Sequence, residues 1–298
     1  MTYSIVARDP DTGELGVAVQ SHWFSVGPLV PWCRPGIGAV ATQANLEVSY
    51  GPRGLALLAG GADPATALAE LIAADPLSAT RQVAIVDAAG ATAVHTGDRC
   101  MPHAGHATGE GVCCQANIMA SAEVWPAMLT AFEQARGPLA GRLMAALHAA
   151  EAAGGDIRGR QSAAILIVPA SGEPWETVVS LRVEDHPEPL DELERLLALD
   201  QAYRRAGEGD ERAAAGDIDE AARLYQRAHE LAPESHELRF WAGLGAAQRG
   251  EVDDGLALVA SAVAQQPGWR ALLVRLAPEQ WPVAGPLLER LRAAGRAP

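Results

Sequence analysis

The segment TYSIVAR at residues 2–8, followed by DPDTG at 9–13 and LGVAVQS at 15–21, predicts a β-hairpin at the start of the chain. Two runs of mainly apolar, β-prone residues flank a turn that contains proline and glycine. The first run begins at Thr2, so this threonine heads a strand. A threonine with a free α-amine carries a nucleophilic hydroxyl and, with a pKa of roughly 8, a base for it on one residue. Thr2 is therefore a candidate nucleophile, although the same residue also suits an ordinary strand end.

The candidate nucleophile depends on the fate of Met1. A small second residue such as Thr2 generally permits removal of the initiator methionine, and removal exposes the threonine amine. If Met1 is retained, the Thr2 nitrogen is an amide that donates a hydrogen bond and cannot act as a base. The chemistry that Thr2 suggests is then disabled.

Blocks of strands and helices alternate along about the first 185 residues. The patterns predict strands at 36–43, 82–87, 91–95, 112–117, 162–168 and 177–183, and helices within 54–74, 122–134 and 139–153. Positions 22–35, which contain three prolines, and the Gly- and His-rich positions 96–111 are expected to be loops. Most strands are joined as hairpins, so this order favours antiparallel sheets covered by helices over a parallel doubly wound sheet.

The composition changes at the acidic segment EDHPEP, residues 184–189, and the remainder has the pattern of helices. Two domains are therefore expected, 1–185 and 190–298. The second contains a regular repeat of small residues and proline, in which Gly216, Ala221, Ala228 and Pro233 return as Gly250, Gly255, Ala262 and Pro267. The spacing is typical of tetratricopeptide repeats, whose period is about 34 residues. Such repeats bind a partner protein or pack against a neighbouring domain.

Charge and composition limit the classes of function. The chain of 298 residues has a net charge of −14, and all 23 basic residues are arginine. Nucleic acids and anionic membranes need basic patches, so neither is expected as a partner. The absence of lysine excludes Schiff-base and P-loop chemistry. The start has no signal-peptide pattern, and four cysteines in this length make no disulfide framework, so a cytoplasmic protein is expected.

Polar side chains stand at the ends of several apolar strands, namely Thr42, Gln43, Asn117, Arg160, Gln161 and Ser162. Buried polar groups need hydrogen-bond partners. Amide side chains at such points can donate to a developing oxyanion, or they can cap a sheet edge. His103 and His106 form a second polar cluster with nearby cysteines, but their spacing matches no common zinc motif, and no metal is expected.

Seven short motifs occur in the order in which a known family has them. They are SIVAR at 4–8, GVAVQS at 16–21, GAVATQ at 38–43, GP at 51–52, HTG at 95–97, QANI at 115–118 and RGRQSA at 158–163. Over the expected first domain, 1–185, the chain therefore resembles the bacterial domain-of-unknown-function family ten-twenty-eight. That family is similar to the N-terminal-nucleophile hydrolases. The resemblance implies the α+β class, with a four-layer αββα sandwich followed here by an all-α tetratricopeptide-like domain.

The resemblance also implies a site around Thr2, which occupies the position of the nucleophile in N-terminal-nucleophile hydrolases. Ser21 would then lie beside it on the paired strand, and Thr42 and Gln43 on the next one. The proteasome pattern uses a lysine to adjust the pKa of the nucleophile, and this chain has none. Arginine cannot act as the base, but positive potential could come from Arg8, Arg158 or Arg160.

The first hypothesis is an amidohydrolase that acts on a small amide or peptide-like substrate without a cofactor. The Thr2 hydroxyl would attack the substrate carbonyl, and water would hydrolyse the acyl-enzyme. The catalytic residues of this hypothesis are Thr2, Asn117 and Gln43, the last two as oxyanion donors together with backbone N–H groups. Its substrate-binding residues are Ser21, Thr42, Arg160, Gln161 and Ser162, with Arg160 as the partner of a substrate carboxylate.

The alternative is a non-catalytic descendant of the same fold, which would bind a ligand or serve as a scaffold. It would dock a partner protein through the helical repeats, and the absence of lysine favours it. A metal hydrolase that uses His103 and His106 is a third hypothesis. Analogy at the level of the fold further predicts a homo-oligomer.

Overall fold

The computed structural model describes residues 2–294 of the chain. The chain divides into two compact units between Glu194 and Arg195. The first unit contains two β-sheets and four complete α-helices, and the second is built from helices, within the described residues.

The larger sheet has the first hairpin at its centre. Its strands are β1 (Thr2–Arg8), β2 (Leu15–Ser21), β7 (Gly105–Gly109), β8 (Val112–Asn117), β9 (Ser162–Val168) and β10 (Val179–Val183). They lie in the order β10-β9-β2-β1-β8-β7, and every pair is antiparallel. The register places Thr2 opposite Ser21 on one side and opposite Asn117 on the other.

The smaller sheet contains β3 (Pro31–Arg34), β4 (Gly38–Ala44), β5 (Arg81–Asp87) and β6 (Thr92–Thr96), in that order. It is also antiparallel throughout, and Gln43 of β4 lies opposite Gln82 of β5. One apolar core joins it to the larger sheet, and most of its side chains are Val and Ala, including Val6, Val17, Ala41 and Ala84. Small side chains of this kind let two sheets pack closely face to face.

Helices cover the outer face of each sheet. The helices α1 (Tyr50–Ala59) and α2 (Pro64–Ala73) pack on the smaller sheet, and α3 (Val124–Gln134) and α4 (Leu139–Ala152) pack on the larger one. Asp63 caps α2 by accepting a hydrogen bond from the Thr66 N–H, with Pro64 as the first helical residue. This is the N-terminal chemistry that the Asp-Pro pair predicts.

The mixed α/β composition and the antiparallel sheets predicted from the sequence are confirmed. Two segments expected to be loops contain strands: positions 22–35 include β3, and positions 96–111 include β7. Both are edge strands, which pair on one side and tolerate proline and glycine. Gly105 of β7 is required by packing, because a Cβ atom there would lie 2.4 Å from the Trp125 ring.

The second unit consists of packed helices. They are the rest of α5 (Pro189–Ala214), followed by α6 (Ile218–Leu231), α7 (His236–Gln248), α8 (Val252–Gln265), α9 (Gly268–Arg275) and α10 (Ala284–Ala294). The helices α6 and α8 have equal lengths, and their first residues are separated by one repeat period. Within residues 2–294, no helix combines the length and the apolar character that crossing a membrane needs.

The repeat glycine Gly255 is predicted to be required by helix packing rather than by backbone conformation. A Cβ atom at this position in α8 would lie 2.5 Å from the Gly243 carbonyl oxygen of α7. We expect Gly255→Ala to lower the free energy of unfolding by about 1–3 kcal/mol, because backbone must move to relieve the clash. The matched control is Gly207→Ala in α5, where a Cβ meets no atom within 4 Å and where alanine should stabilise by about 0.5–1 kcal/mol. Denaturant unfolding of both variants checks this, and equal effects would contradict it.

Candidate active site

The start of β1 brings together the threonine and serine that the sequence singled out. Thr2 is 6% exposed, and its Oγ1 lies 3.0 Å from the Oγ of Ser21. The antiparallel register of β1 and β2 produces this contact, because it sets the first residue of one strand against the last residue of the other. Two hydroxyl groups at this distance form a hydrogen bond and can pass a proton between them.

Two amide side chains hold the carbonyl oxygen of Thr2. Gln43 Nε2 donates to it at 3.1 Å and Asn117 Nδ2 at 3.3 Å. The same two nitrogens also donate to Gln82 Oε1, at 3.0 Å and 2.8 Å respectively. Each amide nitrogen has two N–H groups, so both donors of each side chain are occupied. In this arrangement the N–H groups of Gln43 and Asn117 are used in hydrogen bonds to Thr2 and Gln82.

Gln82 is the centre of this amide network and was not predicted. It is fully buried, and its Nε2 donates to the Ala116 carbonyl oxygen at 2.9 Å and to Thr96 Oγ1 at 3.0 Å. Ser4 Oγ completes the network by donating to Gln43 Oε1 at 2.7 Å. The sequence carried a signal for Gln82, because an uncharged amide that directly precedes the apolar run 83–86 of a strand must find buried partners.

A cavity of about 660 Å³ opens beside Thr2. Its wall is largely apolar, with Trp23, Val26, Leu29, Val30, Leu46, Met101 and Ile118 among the lining residues. Polar lining residues include Thr2, Gln43, Asn45, Thr80 and Asn117, and the charged ones within residues 2–294 are Arg99 and Arg158. A concave apolar pocket with a few convergent polar groups is the usual form of a small-molecule site.

Buried polar side chains fix the loops that form this wall. Ser162 Oγ donates to the Trp23 carbonyl oxygen at 2.6 Å and accepts from the Val26 N–H at 3.1 Å. Thr42 Oγ1 donates to the Glu47 carbonyl oxygen at 3.1 Å. Arg81 donates to the backbone carbonyl oxygen of Asn45. These contacts hold the loops between β2 and β3 and between β4 and α1.

The backbone is strained immediately after two of the amide residues. Ala44, which follows Gln43, has φ of 70°, and Ile118, which follows Asn117, has φ of 57°. The left-handed region costs an L-residue about 1–2 kcal/mol, and it is especially unusual for β-branched Ile118. Both residues line the cavity. Strain of this kind concentrates at functional sites.

The eight predicted site residues fall into three groups in the structure. Thr2, Gln43 and Asn117 line the cavity, and Ser21 contacts Thr2. Thr42 and Ser162 do not line the cavity, but they hold its loops in place through the hydrogen bonds described above. Arg160 and Gln161 line a different surface depression.

The guanidinium of Arg160 is occupied by two carboxylates. Its Nε lies 3.2 Å from Glu151 Oε2, and its Nη1 pairs with Glu188. Gln161 Nε2 donates to Asp185 at 3.0 Å. Arg8 is at the opposite end of β1, about 20 Å from Thr2 at the rise of an extended strand. Of the three arginines considered for positive potential, Arg158 is therefore the one on the cavity wall.

The cysteines and histidines offer no comparable nucleophile or metal site within the described part of the chain. Burial raises the pKa of the Cys100 thiol on the cavity wall. Burial also raises the pKa of Cys113, to about 12, so these groups stay protonated thiols at neutral pH. His106 Nδ1 lies 2.9 Å from Thr96 Oγ1, and burial lowers its pKa. Across residues 2–294, no three His, Cys, Asp or Glu side chains are grouped so that they could hold a metal ion.

The fold and the site together define a mixed α/β protein with two antiparallel sheets and a threonine-headed strand beside an apolar cavity. The sequence profile of the family of unknown function DUF1028 matches residues 2–193, and the chain belongs to this family. It is similar to the crystal structure of protein SPO2555 from Silicibacter pomeroyi, assigned to the same family, with a TM-score of 0.61 and 33% identity over 66% of this chain and 84% of that chain.

A second solved structure shows a lower similarity. It is Anbu (ancestral beta-subunit) from Yersinia bercovieri, with a TM-score of 0.31 and 16% identity over 62% of this chain and 88% of that chain. This similarity is too low to argue a fold or a function. No curated protein matches the sequence significantly.

The amide network predicts that Gln82 contributes strongly to stability. Gln82→Leu would leave one buried N–H each on Gln43 and Asn117 without its acceptor. We expect a loss of about 2–4 kcal/mol in the free energy of unfolding, since each unsatisfied buried group costs about 1–3 kcal/mol. The matched control is Gln161→Leu, at a surface position bonded to Asp185, which should change stability by less than about 0.5 kcal/mol. A Gln82→Leu protein as stable as this control would contradict the role given to the network.

Proposed function

We propose that the first unit is an N-terminal-nucleophile hydrolase-like αββα domain that hydrolyses an amide bond. The observation that carries the proposal is the position of Thr2, whose hydroxyl is hydrogen-bonded to Ser21 at 3.0 Å beside a cavity of about 660 Å³. Two stacked antiparallel sheets with helices on both outer faces support the same assignment.

The proposed reaction has two steps, acylation of the Thr2 hydroxyl and hydrolysis of the resulting ester. After removal of Met1, the Thr2 amine accepts the hydroxyl proton, either directly or through the Ser21 hydroxyl. The threonine oxygen bonds to the substrate carbonyl carbon, the C–N bond breaks, and the proton passes to the departing amine. Water then attacks the resulting ester, which releases a carboxylic acid and restores the Thr2 hydroxyl.

The amide side chains act in this reaction as positioning residues. Gln43 and Asn117 hold the Thr2 carbonyl oxygen, and this fixes the direction of the hydroxyl and amine of the same residue. Oxyanion stabilisation is then assigned to backbone N–H groups of the wall. Arg160 is not assigned to substrate binding in this mechanism, because it is paired with Glu151 and Glu188 and does not line the cavity.

The helical unit supports a second proposal, that of a tetratricopeptide-like module that binds a partner protein. The specific observation is the pairing of α7 with both α6 and α8, with the repeat glycines Gly216 and Gly250 in equivalent left-handed turns at φ of 82° and 94°. The proposed domain limits are 1–185 and 190–298, and the division into compact units lies close by, between Glu194 and Arg195. A cytoplasmic homo-oligomer without nucleic-acid or membrane partners remains part of this proposal, in line with the net charge of −14.

Substitution of Thr2 tests the hydrolase directly. We expect Thr2→Ala to lower kcat/KM by about 10³-fold or more, because it removes the nucleophile. Thr2→Ser retains a hydroxyl and should keep measurable turnover. The measurement is hydrolysis of a panel of N-acyl amino acids and anilides, together with labelling by a β-lactone that acylates an N-terminal threonine.

Intact mass is the control for every variant in this series. Alanine, serine and threonine are all small second residues, so the loss of Met1 should be equal in the three proteins. A mass that retains Met1, or a Thr2→Ala protein that turns over normally, would overturn the proposed mechanism. Mass spectrometry of the labelled protein should place the β-lactone adduct on the N-terminal peptide.

The pH dependence gives a second test of the base. An α-amine accepts a proton only when neutral, and α-amines titrate at about pH 7.7–8.0. We therefore expect kcat/KM to rise with pH and to level off above a midpoint at or below about pH 8. Unfolding curves at each pH provide the control for stability. A rate that is constant between pH 6 and 9 would exclude the amine as the base.

A further inference from the structure

The charges on the cavity wall differ from those of the chain as a whole. The chain has 37 acidic and 23 basic residues. Among residues 2–294, those that line the cavity nevertheless include no Asp or Glu, and the charged ones are Arg99 and Arg158. In a protein that is acidic as a whole, arginines as the charged groups of the cavity wall favour an anionic group in the cavity.

The two arginines are not equivalent. Arg158 Nη2 lies 3.2 Å from Asp156 Oδ2, and this buried carboxylate compensates its charge. Arg99 has no carboxylate within ion-pair distance among residues 2–294. The positive charge of Arg99 is therefore available to a ligand. A guanidinium binds a carboxylate through two parallel hydrogen bonds, so this charge also selects for geometry.

The backbone around Arg99 is fixed to the end of the smaller sheet. The Arg99 N–H donates to the Ala79 carbonyl oxygen at 2.8 Å, and the Gly97 N–H donates to the Arg81 carbonyl oxygen at 2.9 Å. A Cβ atom on Gly97 would lie 2.2 Å from the same Ala79 oxygen, so the approach requires glycine. The loop thus presents the arginine from a defined position on the wall.

The rest of the wall suits an apolar group. Trp23 and Met101 both line the cavity and are 58% and 63% exposed. The apolar part of the wall also includes Val26, Leu29 and Val30. Covering this apolar surface with an apolar part of a ligand favours binding. The cavity therefore combines an apolar surface, an available cation and the candidate nucleophile.

We propose that the cavity binds an amide that carries an apolar acyl group and a free carboxylate, as an N-acyl amino acid does, and that Arg99 receives the carboxylate. This inference deepens the proposed hydrolase function and rests on it for the reaction. Binding by itself does not require turnover. The two can therefore be tested apart.

The experiment compares two ligands that differ in one charge. N-octanoyl-glycine carries a carboxylate, and N-octanoyl-glycinamide is its neutral counterpart. Binding of each is measured by calorimetry on the full-length Thr2→Ala protein, which cannot hydrolyse them. We expect the carboxylate to bind at least tenfold more tightly than the neutral amide, and we expect this preference to weaken as salt is raised.

Variants of Arg99 test whether this residue recognises the carboxylate of the ligand. In the Thr2→Ala background, Arg99→Gln should reduce the tenfold preference to less than about threefold, while Arg99→Lys should retain part of it. The matched control is Arg136→Gln, an exposed arginine that donates to backbone carbonyl oxygens of α3 and the residue after it. This control should leave the preference unchanged.

Each outcome supports or overturns the inference. Equal binding of the two ligands, no binding of either, or a preference that survives Arg99→Gln overturns it. If the preference follows Arg99 but the Thr2 protein leaves N-octanoyl-glycine and its longer-chain and other amino-acid analogues intact, the hydrolase proposal fails and the ligand class stands. If the Thr2 protein hydrolyses only neutral amides, the hydrolase proposal stands and the ligand class fails.

Discussion

The amide network around Gln82 is the constraint on which the site depends, because it joins the two sheets at one end of the sandwich. Gln82 and Gln43 belong to the smaller sheet, whereas Thr2 and Asn117 belong to the larger one. A buried polar group costs free energy unless its hydrogen bonds are made, and here each amide nitrogen finds its acceptors. The two sheets therefore pack in the register that completes the network. A shift of β4 or β5 relative to β1 and β8 would leave several buried donors without acceptors.

This constraint also explains the shape of the cavity wall. The strands β4 and β8 each carry an amide into the network and then turn away through a left-handed residue, Ala44 or Ile118. The turns create the opening beside Thr2 instead of continuing the apolar core. The strain at Ala44 and Ile118 is tolerated because the hydrogen bonds of the preceding residues, Gln43 and Asn117, fix the backbone there. The serine and threonine at 162 and 42 then hold the adjoining loops.

Local patterns in the sequence predict most of the strands and helices and the proximity of Thr2 to Ser21. The turn at 9–13 predicts the first hairpin, and the hairpin register by itself brings Thr2 to Ser21. Partners on strands that are not joined by a hairpin could not be predicted, because contacts such as Gln43 with Gln82 depend on the strand order of the sheet and not on sequence spacing. Arg99 was missed for the same reason. It lies in a connection without periodicity and reaches the cavity through the fold of the whole domain.

In the proposed hydrolase, the absence of lysine changes what the fold must supply to the threonine nucleophile. A neutral amine is favoured wherever an ammonium would be poorly solvated or would face another positive charge. In the proposed hydrolase, Thr2 is 6% exposed and shares its cavity with Arg99, which has no carboxylate partner among residues 2–294, so both conditions would be met without a lysine. The same two features favour an anionic ligand in an apolar pocket. In the proposed hydrolase, one arrangement of charge and burial would therefore serve both the base on Thr2 and the selection of the substrate.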